Sequence, residues 1–139
     1  MKIGLISCVK TKCKFKIEAK NMYLSPLFKG YYNIAKRDCD VVYILSAKHG
    51  LLKENDIISP YEETLNNKTE YQKKLWSYKV YRDIEKNLKK DDIIYWYAGV
   101  NYKRYLSKVL INEQIHYSKN IGIGKILKKL KNEKSINSL

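Results

Sequence analysis

The chain has 139 residues, 45% of them hydrophobic, which suits one globular domain with one core. No apolar run reaches the length of a membrane span, and the start lacks a signal-peptide pattern, so a cytoplasmic protein without a membrane partner is expected. The formal net charge is +14, with 28 Lys and Arg against 14 Asp and Glu, an excess that favours nucleic acid or nucleotide as partner, a basic solvated surface being the plainer account.

In chain order, Lys2-Ile3-Gly4-Leu5-Ile6-Ser7 reads as the first strand, and residues 9 to 25 as a long basic loop. Pro26 to Arg37 reads as a helix with Ser25 as N-cap and Pro26 at the first helical position. Its apolar stripe is Leu27, Tyr31 and Ile34, flanked by Phe28 and Ala35. Asp40 to Leu45 is the second strand; its β-branched and aromatic run is that of a parallel strand covered on both faces. Residues 48 to 69 read as irregular. Thr69 to Lys90 reads as a helix with Trp76, Val80, Ile84 and Leu88 at four-residue spacing, and Asp92 to Ala98 as the third strand. Gly99 opens a turn into a helix carrying Tyr102, Tyr105, Leu106 and Val109, and a short fourth strand falls at Gln114 to Tyr117. Gly122-Ile123-Gly124-Lys125 precedes a last basic helix to Glu133 and has the look of a phosphate-binding turn, without P-loop spacing.

This alternation predicts an α/β three-layer sandwich with a mostly parallel central sheet of about four strands. One domain over 1–134 is expected, with a frayed tail over 135–139. The three cysteines, Cys8, Cys13 and Cys39, are an odd number in unrelated contexts, which argues against a disulfide framework. No metal or other cofactor is expected, since Cys8 and Cys13 make a zinc site only if His49 or His116 joins them.

In a parallel sheet the strand ends lie on one edge, where open α/β sheets build their sites. The first end offers Cys8, as a nucleophile activated by Lys10 and Lys12 or as a buried strand-end cysteine. Lys10 and Lys12 suit anion binding. The second end, Ser46-Ala47-Lys48-His49-Gly50, places a hydroxyl, an ammonium and an imidazole within four residues. His49 suits proton transfer, or it bonds the backbone of its turn; His116, in an edge strand, reads as structural. The third end carries Gly99 and Tyr102. The apolar-studded stretch Ile57 to Leu65 reads as a functional loop in which Pro60 fixes the backbone, Tyr61 stacks on a flat ligand and Glu62 or Glu63 supplies a carboxylate. The alternative has Tyr61 and Leu65 pinning the loop to the core.

Together these residues resemble a bacterial and phage family of single-domain proteins of unknown function. The matching positions are Cys8 and Lys12, then Tyr23 with Ser25-Pro26-Leu27-Phe28, then Ser46 to Leu52, then Pro60, Tyr61, Thr64 and Leu65. Gly99, Tyr102, Gly122, Gly124 and Leu130 complete the pattern, which covers nearly the whole chain. The family is similar to the YaaA (DUF328-like) peroxide-stress proteins, which are associated with DNA binding. More distantly it resembles the core of archaeosine synthase, which attaches lysine to a 7-deazaguanine base in tRNA. Ser7 before Cys8 and Cys13 after Lys12 depart from that enzyme's Pro-Cys and Lys-Pro pattern. The resemblance implies a YaaA-like fold and a site near nucleobase chemistry, and supplies no reaction.

The expected function is an enzyme acting on a nucleobase or nucleoside, free or in nucleic acid, by N-glycosidic cleavage or base transfer. Cys8, His49 and Glu62 are the candidate catalytic groups. Lys10, Lys12, Tyr23, Ser46, Lys48, Tyr61, Thr64, Gly99 and Tyr102 are the candidate binding groups. The alternatives are a non-catalytic DNA-binding protein and a protein that sequesters a nucleotide signal.

Overall fold

The computed structural model describes residues 1–117, and over them hydrophobic runs become strands where the sequence places them. The glycine turn at Gly122 to Lys125, the basic helix after it and the tail from 135 lie outside the described residues.

Strand β1 (Lys2–Ser7) has Ile3 to Ile6 all buried, as a strand covered on both faces requires. Residues 9 to 25 are not one loop: β2 (Ile17–Glu18) and the single-turn helix α1 (Ala19–Met22) interrupt them. Lys12 also bridges Tyr23, and the Cys13 amide donates to the Met22 carbonyl at 2.7 Å, so the segment folds back on itself. Sequence periodicity is silent here because each paired stretch is only one or two residues long. Helix α2 (Pro26–Asp38) begins as expected: the Ser25 Oγ accepts the Phe28 amide at 3.1 Å, and Phe28, Ile34 and Ala35 are buried.

Strand β3 (Val41–Ser46) runs parallel to β1. The chain then turns through Ala47, Lys48 and His49 and returns as β4 (Gly50–Lys53), antiparallel to β3 with Ser46 opposite Gly50. This strand replaces the irregular start expected after residue 48. Gly50 has φ +74°, the left-handed conformation that closes such a three-residue hairpin, so the glycine marks the turn and not the end of the sheet. A two-residue strand, β5 (Ile57–Ile58), pairs antiparallel with β2 and ties the 57-to-65 loop to the folded-back segment.

Helix α3 (Glu70–Glu85) opens on a capping box between Thr69 and Gln72 and buries Trp76, Val80 and Ile84. It stops five residues before the predicted Lys90, and Leu88 packs on the core from the connection that follows. Strand β6 (Ile93–Tyr97) pairs parallel with β1. The single helix expected after Gly99 is two short ones, α4 (Val100–Lys103) and α5 (Leu106–Val109). Strand β7 (Gln114–His116) pairs parallel with β6. His116 there stacks on Trp96, with 6.2 Å between ring centroids, in the structural place expected of it.

The sheet order is β4-β3-β1-β6-β7: five strands, mostly parallel, one more than the hydrophobic pattern suggested and antiparallel only at β4. Helix α2 packs on β1, β3 and β6; α3 packs on β4 and against α4 and α5. The result is the three-layer α/β arrangement. Its central strand is β1, so the carboxyl ends of β3, β1 and β6 stand side by side. No described helix is long and apolar enough to cross a membrane.

Candidate functional site

Three parallel strand ends bring their polar residues to one place. The Cys8 amide donates to the Leu45 carbonyl at 2.9 Å, and the Gly99 amide donates to the Ser7 Oγ at 3.4 Å, stitching the ends of β1, β3 and β6 together. Over this edge the 57-to-65 loop lays Tyr61, and α4 lays Tyr102.

Cys8 is 8% exposed, and its Sγ lies 3.2 Å from the Tyr102 Oη. The Tyr102 oxygen accepts the Leu65 amide at 3.4 Å, which leaves its own proton free to point at the sulfur. Burial, then the nearby Cys8, pushes the Tyr102 hydroxyl well above the ordinary phenol range, so it stays protonated and able to donate. Trp76 packs edge-on to Tyr102, with 5.5 Å between ring centroids.

Beside this pair runs a second chain of hydrogen bonds. The His49 amide donates to the Ser46 Oγ at 3.0 Å, and the Ser46 hydroxyl donates to the Tyr61 Oη at 2.8 Å. That leaves the Tyr61 proton for the Tyr23 Oη, 2.6 Å away. Ser46 is wholly buried and its carbonyl accepts the Trp76 indole N–H at 2.8 Å. Burial is the largest reason that Tyr61 and Tyr23 are both pushed well above the ordinary phenol range. Their hydroxyls are therefore proton-holding at any physiological pH.

Lys12 links the two groups. Its Nζ sits 4.5 Å from the Tyr61 ring centroid and 6.0 Å from that of Tyr23. Burial lowers its pKa, and the charges of Cys8 and Glu62 pull it partly back. The Lys12 ammonium also donates to the Lys10 carbonyl at 3.3 Å. The His49 ring meets Tyr61 edge-on at 5.4 Å. Burial, then Lys48 and Lys79, lowers the His49 pKa, while Glu63 opposes them. Its Nε2 is shielded from solvent and has no hydrogen-bond partner among the described residues, which leaves a neutral imidazole with one nitrogen unused.

The structure thus brings together Cys8, Lys12, Tyr23, Ser46, His49, Tyr61 and Tyr102. It does so across 94 positions of sequence between Cys8 and Tyr102. Lys10, Lys48 and Glu62 are exposed around that cluster, and Gly99 has open space on its Cα side. Thr64 caps the short 3-10 turn Leu65–Asn67 through the Asn66 amide at 3.2 Å. One expectation is corrected. Tyr61 is not a free stacking platform: its hydroxyl is held by Ser46 and Tyr23, the Lys12 cation sits over its ring, and the ring is 8% exposed. Trp76 was legible only as a core residue; that a buried indole N–H needs an acceptor is the one signal that pointed further, and it did not say which. Among the described residues, no three His, Cys, Asp or Glu side chains gather as metal ligands would.

A model of one protein family matches residues 3–132, nearly the whole chain. The chain belongs to DUF6884, a family of unknown function. No curated protein and no solved structure matches it.

Proposed function

We propose that this DUF6884 protein is an enzyme acting on a nucleobase or nucleoside, free or in nucleic acid, by N-glycosidic cleavage or base transfer. We also propose that its family is a relative of the YaaA-type proteins and, more distantly, of the archaeosine synthase core. The observation that carries the reading is the gathering of Cys8, Lys12 and three tyrosine hydroxyls at the carboxyl ends of β3, β1 and β6. Cys8 is the nucleophile, with Tyr102 donating to its sulfur and the Lys12 cation nearby. His49 and Glu62 are the proton-transfer groups, the first offering its unused Nε2 and the second an exposed carboxylate coupled to Lys12. The net charge of +14 suits a phosphate-bearing substrate, with Lys10 and Lys48 on the rim.

The test is to incubate the protein with DNA, tRNA and free nucleosides and nucleotides and follow base release or adduct formation by mass spectrometry. Wild type turns over one of them. Cys8→Ser and His49→Ala each lower that turnover by about 100-fold or more, the scale of a lost nucleophile or acid–base group. Cys39→Ser leaves it unchanged, since Cys39 is contacted by Tyr97 and Gly4 and not by this cluster. The charge alone favours a second reading, non-catalytic binding of nucleic acid or sequestration of a nucleotide. Tight, salt-sensitive binding that is indifferent to Cys8, with no product from any substrate, establishes that reading instead.

A further inference from the structure

A groove of about 430 Å³ opens between α1 and α2, away from the strand ends but sharing a wall with them. Its lining combines two cations, Lys20 and Lys29, with the rings of Tyr23, Phe28 and Tyr32 and the amide of Asn33. We propose that this groove is a subsite for the nucleotide next to the reacting one, so that the substrate is single-stranded nucleic acid and not a free nucleoside. The proposal rests on the nucleobase-directed reading above and names its substrate class.

Three observations support it. First, the groove is continuous with the candidate site. Tyr23 lines the groove and its Oη accepts from the Tyr61 hydroxyl at 2.6 Å, and the Lys12 ammonium sits 6.0 Å from the Tyr23 ring. The Leu24 amide donates to the Thr11 carbonyl at 2.9 Å, which binds the groove wall to the loop that carries Lys10 and Lys12. Lys20 and Lys29 thus line the groove, while Lys12 lies against the Tyr23 ring that forms its wall and donates to the Lys10 carbonyl, cations on the groove and on the loop bonded to it that suit a phosphate backbone.

Second, the groove presents one aromatic ring to a base. Tyr32 is half-buried, and the buried Phe28 backs it nearly parallel, 14° between planes and 6.2 Å between centroids. The Tyr32 hydroxyl donates to Glu54, and Lys36 pairs with the same carboxylate at 3.1 Å, which fixes the ring and neutralises the acid that touches this lining. Base-on-aromatic stacking beside a cationic groove is the common mode of single-strand binding. A duplex keeps its bases stacked on each other and offers no ring to such a surface.

Third, the volume falls within the range of small-ligand sites, about 300–1,000 Å³, and is room that a lone nucleoside held at Cys8 leaves unused.

The test is fluorescence anisotropy on the full chain, with a short single-stranded oligonucleotide and with a nucleoside monophosphate. The wild type binds the oligonucleotide more tightly. Tyr32→Ala weakens oligonucleotide binding by about tenfold, the effect of losing one stacked base, while Tyr32→Phe keeps most of it. Lys20→Ala with Lys29→Ala lowers the salt slope by about 1.4, two contacts at roughly 0.7 each for a single strand. Lys86→Ala with Lys90→Ala, exposed positions between α3 and the amino end of β6, opposite the strand ends that hold the site, is the charge-matched control. If Tyr32→Ala fails to fold, the lysine pair carries the test alone. The proposal is overturned if groove and control pairs lose affinity equally, or if the monophosphate binds as tightly as the oligonucleotide. Turnover of free nucleosides that groove variants do not change removes the subsite and leaves the enzyme standing. Groove-dependent strand binding without any product removes the enzyme and leaves the subsite.

Discussion

Tyr61→Phe removes one oxygen from the middle of the buried hydrogen-bond chain and leaves the ring in place. Packing against His49 and beneath Lys12 is retained, so the change isolates the polar contribution. Two bonds are lost, from the Ser46 hydroxyl at 2.8 Å and to the Tyr23 hydroxyl at 2.6 Å. Ser46 is 0% and Tyr23 1% exposed, so water cannot replace the missing partner at either. A buried polar group stranded in this way costs about 1–3 kcal/mol. Ser46 also lies within reach of the Tyr23 hydroxyl, and a new bond between the two offsets part of the loss. The expected destabilisation is therefore about 2–3 kcal/mol, toward the low end of two such costs. It is read as a lower urea midpoint at unchanged slope. Tyr23→Phe combined with Tyr61→Phe strands only Ser46, so the double variant loses less than the two single losses added, by about 1 kcal/mol or more. A Tyr61→Phe loss below about 0.5 kcal/mol, the noise level of ordinary surface changes, refutes the reasoning, as does strict additivity in the double variant.

Gly50→Ala costs about 1–2 kcal/mol from the left-handed backbone alone, because a new Cβ there meets its nearest atoms at an ordinary 3.7 Å. Gly50→Asn, which tolerates that conformation, loses less, and equal losses in urea unfolding count against strain as the cause. The His49 pKa is lowered in the folded protein, so the unfolded chain binds more protons as pH falls below about 6.5 and stability declines there. Urea midpoints between pH 8 and pH 5 therefore fall more steeply for wild type than for His49→Gln, and parallel curves reject the assignment.

The order of the main elements was legible in the residues. The unbroken apolar runs at Ile3 to Ile6 and Val41 to Leu45 read as strands covered on both faces, and Ser25-Pro26 reads as a helix start. A sheet with parallel strands then had to collect Cys8, Ser46 and Gly99 on one edge, because connection direction alone decides which ends face together. Local sequence could not report what depends on a partner far along the chain. Strand β4 exists because the Gly50 turn folds it onto β3, and β2 exists only against β5, 40 residues away from it. The same holds for the site. Cys8 and Lys12 were visible as reactive types, but pairing a thiol with a phenol 94 positions on depends on how α4 docks over the strand ends. Tyr61 shows the division most plainly. As a residue it reads equally as an exposed ring for stacking and as a buried pin. Only the tertiary structure, by setting Ser46, Tyr23 and Lys12 around it, decided that its hydroxyl joins a protonated network, because hydrogen-bond partners and burial are properties of the assembled fold and not of the chain.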